Sequence, residues 1–193
     1  MPPKVKITRE DIISSGIEII RKSGASAVNA RSISALLGSS TQPIFSNFSS
    51  MQELNDAVLA RAHEIYQEYL GREILSGKYP EYKATGMAYI GFSKDERELF
   101  KLLFMRDRSN EPLNNEDRLF NSAALGIQKS LGISKERAVL FHLKMWTFVH
   151  GIATMMATNY LELDTELISQ MITEIYQSQK MQEDRHGEFD SNR

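Results

Sequence analysis

Cysteine is absent from the 193 residues, which excludes disulfide frameworks, thiolate metal sites and thiol nucleophiles. Long apolar runs are missing as well. The most apolar window, Met145 to Ala157, contains His150 and falls short of the roughly twenty residues that a bilayer-spanning helix requires. The opening Met1-Pro-Pro-Lys-Val-Lys6 lacks the apolar stretch of a signal peptide, so a cytoplasmic location and no membrane partner are expected. Net charge is small. Lys and Arg number 23 against 25 Asp and Glu, a formal −2, and that whole-chain balance does not point to a nucleic-acid partner. No internal repeat, low-complexity tract or alternating β-branched run appears. With 41% apolar and 25% charged residues, the composition is that of a globular protein of one ordinary domain or two small ones.

What is present is helical periodicity. Ile12, Ile13, Gly16, Ile17 and Ile20 form one stripe, Leu54, Val58, Ile65 and Tyr69 another, and Leu167, Ile168, Met171, Ile172 and Ile175 a third. Capping boxes, in which a hydroxyl accepts from the backbone three residues on while an acid reaches back, fit Thr8 with Asp11, Ser50 with Glu53 and Ser93 with Glu96. Breaks at Ser23-Gly24, Leu37 to Ser39, Phe48 to Ser50, Gly77 to Pro80, Asn110 to Asn115, Leu131 to Ile133 and Leu161 to Asp164 divide the chain into about nine helices. The expected fold is all-α, with three short helices before residue 48 and longer ones after it. The polar stretch 177–193 is expected to fray.

The small net charge is an average of two unlike parts. Residues 1–48 hold Lys4, Lys6, Arg9, Arg21, Lys22 and Arg31 against Glu10, Asp11 and Glu18, a balance of +3 that leaves −5 for the remainder. Within this basic head, Ala30 to Phe48 predicts two short helices. The first buries Ile33, Leu36 and Leu37 and stops at Gly38, a residue suited to the left-handed conformation that ends helices. Ser40 is placed to cap the second, and Pro43 lies in its first turn, where a missing N–H is tolerated. Ile44, Phe45 and Phe48 are expected to point inward and Thr41, Gln42, Ser46 and Asn47 outward. Such a pair is a helix-turn-helix, whose second helix can enter a major groove about 12 Å wide. Gln42 is the best base reader, because a carboxamide pairs bidentately with adenine. Thr41 and Pro43 suit thymine methyls, Ser46 and Asn47 suit phosphates, and Arg31 suits either. Lys4, Lys6 and Ser50 are further phosphate candidates.

From Thr8 to Val58 the chain resembles the TetR family of transcriptional regulators. Gly24, Arg31, Ile33, Leu37, Gly38, Ser40, Ile44, Phe48 and Glu53-Leu54 match the family pattern, and Phe45 matches its aromatic position; Phe45, Asn47 and Met51 depart from it in standing where tyrosine, histidine and a phosphate-contacting lysine are usual. The resemblance adds Ser40 and Phe45 to the candidate DNA-binding residues. Its three departures imply a lower non-specific affinity than is usual. Trp146-Thr-Phe-Val-His-Gly-Ile152 looks like a motif of the effector domain in one branch of the family. The implied organisation is a DNA-binding domain over 1–50, a ligand-binding and dimerisation domain over 51–180 and a disordered tail over 181–193.

The body is rich in Met and aromatic residues, which fill cores and also line adaptable pockets. The resemblance implies such a pocket, for an unknown small apolar effector, with Met87, Phe104, Trp146 and His150 as candidate contacts. The last two long helices, about 134–180, are apolar on more than one face. Phe141, Phe148, Ile152 and Met155 can face one way and Met145, Val149 and Met156 another, so each must be covered on both sides. The resemblance implies a homodimer built there. His63, His142, His150 and His186 form no i, i+3 or i, i+4 pair, and neither a metal, a cofactor nor a catalytic arrangement is expected. The reading is a ligand-responsive repressor that binds a palindromic operator in double-stranded DNA. The alternative is a TetR-like interaction or small-molecule-binding protein of weakened DNA affinity.

Overall fold

A computed structural model of the chain describes residues 7–107 and 116–191, the side chains of 116–121 and 186–191 excepted. Among these residues there are nine α-helices and one 3-10 turn, and no strand. The helices are α1 (Arg9–Ser23), α2 (Ala30–Leu36), α3 (Gln42–Asn47), α4 (Met51–Leu75), α5 (Glu81–Asp95), α6 (Arg97–Phe104), α7 (Glu116–Leu131), α8 (Lys135–Ala157) and α9 (Thr165–Ser191), with the 3-10 turn at Ala25–Ala27. The chain is all-α, as its periodicity predicts. The break expected at Asn110 to Asn115 lies outside the described residues.

Local chemistry sets most helix ends. Thr8 opens α1 with a reciprocal box: its hydroxyl accepts from the Asp11 N–H at 3.1 Å, and the Asp11 carboxylate accepts from the Thr8 N–H at 2.9 Å. The Thr8 N–H, and then the Thr8 hydroxyl, both donating to the Asp11 carboxylate, hold it below its usual range. Gly24, at φ +80°, ends the helix. Two expected boxes turn out differently. Ser50 does accept from the Glu53 N–H, but the Glu53 carboxylate reaches back to the N–H and hydroxyl of Ser49. Ser93 caps nothing. It lies fully buried inside α5, and α6 begins instead after Glu96, whose carboxylate is held by Arg21 of α1.

The chain forms two compact units, and the division falls within α4 and α5. The first unit comprises 1–69 and 92–106, the second 70–91 and 107–193. In the first, α1 packs against α2, α3, α6 and the 3-10 turn. Ile12, Ile20, Ile33, Ile44, Phe48, Leu54, Leu99 and Phe100 form its core. Tyr66, Phe92, Phe100 and Phe104 add a ring cluster, with Phe104 at 5.2 Å from both Tyr66 and Phe100, centroid to centroid.

The second unit packs around α8. Phe141, Met145, Val149, Ile152 and Met156 are all buried, joined by Ile168 and Ile172 of α9 and by Met87 and Ile90 of α5. The two apolar faces expected on α8 are therefore divided differently. Residues assigned to opposite sides share one broad buried face, and the apolar residues left exposed are Leu140, Leu143 and Trp146. Helix α9 continues through Ser191, beyond the point where its polar composition predicts fraying and through most of the stretch expected as a disordered tail. Glu183 explains the extension. It is buried and accepts from the guanidinium of Arg137 on α8, so this last part of the helix is anchored by a long-range pair.

Candidate nucleic-acid interface

The segment α2–turn–α3 begins with a cap that the sequence reading did not single out. The Asn29 side chain accepts from the N–H groups of Arg31 and Ser32 at 3.0 Å each, while the Ser32 hydroxyl accepts from the Asn29 N–H. This box fixes the first turn of α2 and with it the place of Arg31. The turn itself depends on Gly38 at φ +59°. No atom lies within 4 Å of where a Cβ would sit, so glycine is needed there for its backbone freedom and not for space. Thr41, rather than Ser40, is the residue that precedes α3, and its hydroxyl makes no capping bond; Pro43 occupies the first turn as expected.

Helix α3 is anchored by one stripe, Ile44 and Phe48, which are 1% and 2% exposed. Phe45 does not point inward. It is 55% exposed, and Leu36 on α2 is 42% exposed with Leu37 half-buried. A helix of six residues presents one buried stripe at i, i+4, and Phe45 lies about 100° around from Ile44. Its exposure places the ring beside the exposed Gln42 and Ser46 at i−3 and i+1.

The polar groups of this face are unequally committed. The Ser46 hydroxyl donates to the Gln42 carbonyl at 2.9 Å, and the Asn47 amide donates to the Pro43 carbonyl at 2.8 Å. The Gln42 carboxamide has no hydrogen-bond partner among the described residues. Ser40 and Ser50 are exposed, Ser50 being engaged at the start of α4. Lys4 and Lys6 lie outside the described residues.

Arg9 is the residue that sequence reasoning missed. Its guanidinium lies 3.9 Å above the Phe48 ring and donates both to the Asn47 carbonyl at 2.7 Å and to Glu53 at 2.9 Å. One side chain at the start of α1 thereby ties the end of α3 to the start of α4. The Glu53 carboxyl is held down to about 2, first by the Ser49 N–H, then by the Ser49 hydroxyl and by Arg9. Arg21 is likewise paired with Glu96, and Lys22 with Glu18. Arg31 is exposed and forms no ion pair among the described residues. Glu53 and Glu96, acids from outside residues 1–48, therefore offset two of the positive charges counted in the +3 of the head.

The proposed effector contacts are not gathered in one unit. Phe104 belongs to the ring cluster of the first. Met87, Trp146 and His150 are in the second, where Met87 is 7% exposed and Trp146 is 42% exposed. The indole stacks on the His150 ring at 4.9 Å and 10°, and His150 Nδ1 shares a hydrogen bond of 2.8 Å with the Tyr89 hydroxyl. Nearer the start of α5, Tyr82 repeats this arrangement with His142 at 2.9 Å. Burial pushes the Tyr82 phenol up and the His142 imidazole down. Lys83 donates to the hydroxyls of Ser169 and Thr173 on α9, at 2.7 Å each. Among the described residues no group of three or more acids and histidines can hold a metal ion, and no helix is long and apolar enough to cross a membrane.

No curated protein matches the chain. Residues 82–175 match the family model described as Tetracyclin repressor-like, C-terminal domain. That span runs from Tyr82 of α5 to Ile175 of α9 and covers the second unit's buried α8 core, the Tyr–His pairs and the exposed Trp146. It is complementary to the N-terminal resemblance, which ends at Val58. Over residues 82–175 the chain is therefore similar to the C-terminal domain of tetracyclin repressor-like proteins.

Proposed function

We propose that the chain is a ligand-responsive repressor that binds a palindromic operator in double-stranded DNA as a homodimer. The observation that carries this reading is the α2–turn–α3 unit, anchored from within by Ile44 and Phe48 while Thr41, Gln42, Pro43 and Phe45 remain available on its outer side. Gln42 is the base reader, Arg31 and Ser40 contact phosphate, and Ser46, Asn47 and Ser50 line the backbone with Lys4 and Lys6. Residues 1–50 are the DNA-binding part and 51–180 the effector and dimerisation part. In a two-fold dimer two α3 helices enter successive major grooves about 34 Å apart.

Dimerisation is assigned to α8 and α9. Leu140, Leu143 and Trp146 on α8 and Leu167 and Met181 on α9 leave exposed apolar surface that a second copy can cover. A small apolar effector is assigned to Met87, Trp146 and His150. An effector that prefers the conformation unable to span the operator weakens DNA binding, and DNA weakens effector binding by the same factor. The helix α4, which follows the DNA-reading segment directly, is the element that transmits the change. No catalytic role is assigned.

The test is binding of the full chain to its own upstream DNA across salt concentrations. Phosphate neutralisation gives a slope of several units in log affinity against log salt. Arg31→Ala reduces that slope by about one unit without a change of sequence preference. Absence of both binding and slope favours the second reading, an interaction protein with weakened DNA affinity. Met51 and the internal pairing of Arg9, Arg21 and Lys22 speak for that reading.

A further inference from the structure

We infer that α3 reads an A·T core in each operator half-site, with Gln42 on adenine and Pro43 and Phe45 on thymine 5-methyl groups; this rests on the DNA-binding reading above. Four observations lead there. First, α3 contains no Lys or Arg, the residues that pair bidentately with the O6 and N7 acceptors of guanine. Second, two of its polar side chains are committed to its own backbone, Ser46 to the Gln42 carbonyl and Asn47 to the Pro43 carbonyl. Third, the exposed Gln42 carboxamide has no partner among the described residues, and a carboxamide matches the N6 donor and N7 acceptor of adenine. Fourth, the neighbouring surface is apolar. Phe45 is 55% exposed, three residues from Gln42 on the same face, and Pro43, half-exposed, lies on the other side of Gln42 around the helix.

Thymine alone presents an apolar group in the major groove, its C5-methyl. A face made of one free carboxamide flanked by a phenyl and a pyrrolidine ring complements an A·T pair on both of its bases, while α3 offers guanine no Lys or Arg. Phe45 has no hydroxyl with which to donate to a phosphate, so its contribution is burial against a methyl or a sugar edge.

The experiment uses the full chain and a random-sequence duplex library. Selection yields half-sites with an A·T core. The selected duplex is then resynthesised with uracil for thymine in that core, which removes the methyl and leaves base pairing intact. Each contacted methyl lost weakens binding by about fourfold, the equivalent of one buried methylene. In Phe45→Ala, which removes an exposed side chain and keeps the wild-type melting temperature, the uracil penalty shrinks. Phe45→Leu, still apolar, retains part of it. Replacing the core adenines by 7-deazaadenine weakens the wild type but not Gln42→Ala. Selection of a G·C core, equal affinity for the thymine and uracil duplexes, or a uracil penalty unchanged in Phe45→Ala each overturns the inference while leaving DNA binding in place. Failure to retain any duplex at low salt overturns the DNA-binding reading itself.

Discussion

Helix α1 crosses α4 at a glycine, and the closeness of that crossing can be measured. A Cβ built on Gly16 would lie 2.7 Å from Val58 Cγ2, 3.5 Å from Cγ1 and 3.8 Å from Cβ. Val58 is 2% exposed, and as a β-branched residue its χ1 has little freedom to rotate away. Two effects oppose each other in Gly16→Ala. Alanine gains about 1 kcal/mol of helix propensity over glycine in a helix interior. Overpacking against a stiff buried side chain costs about 1–3 kcal/mol. The balance is a loss of about 0–2 kcal/mol, whereas an unhindered site would show a gain. Val58→Ala alone removes two methyls and costs about 1.6 kcal/mol at about 0.8 kcal/mol per group, more if a cavity remains. In the Gly16→Ala background the new methyl fills part of that space and the clash disappears. The second substitution then costs much less, a favourable coupling of about 1–2 kcal/mol. Urea unfolding of the four proteins, followed by circular dichroism, gives the cycle. Additivity within about 0.5 kcal/mol, together with a stabilised Gly16→Ala, would refute the close crossing.

Two further outcomes follow from the second unit. Trp146→Glu tests the proposed dimer face: it places a charge on the exposed side of α8, and where that side is the interface, loss of the tryptophan costs about 2 kcal/mol or more, roughly thirtyfold in dimer affinity; a wild-type dimer by analytical ultracentrifugation would remove this face from the interface. The pH dependence of melting tests the Tyr82–His142 pair. Burial pushes the His142 pKa down, so below about 6.5 the unfolded chain takes up a proton that the folded one does not. Stability from this group is therefore full above that value and falls as pH drops through it. Burial pushes Tyr82 up, so its contribution is lost as pH rises above about 10, where the unfolded phenol ionises. His142→Asn flattens the acidic limb; an unchanged limb would assign the dependence to other groups.

Legibility in the sequence follows the range of the interactions. The Thr8–Asp11 box, the Gly38 turn and Pro43 in the first turn of α3 are local, and reading a few residues at a time finds them. The Ser93–Glu96 spacing shows the weakness of such signals. The pattern is there, yet Ser93 is buried within a continuing helix. Helical spacing predicts Phe45 and Leu36 inward, but helices of six and seven residues hold too few turns for periodicity to fix a face. Arg9 left no local sign at all, since Asn47 and Glu53 are 38 and 44 positions away. The end of α9 is a similar case: Glu183 meets Arg137 across 46 positions.

By itself the sequence determined the all-α class, the helix-turn-helix and the basic character of its first residues. Those depend on hydrogen bonds and apolar spacing within a turn or two of helix. Only the tertiary structure decided which of the head's charges are paired, that Phe45 is part of the outer surface, and which side of α8 is left uncovered. Burial and ion pairing are set by elements that meet in space after folding. A residue's own neighbours in the chain carry little information about them.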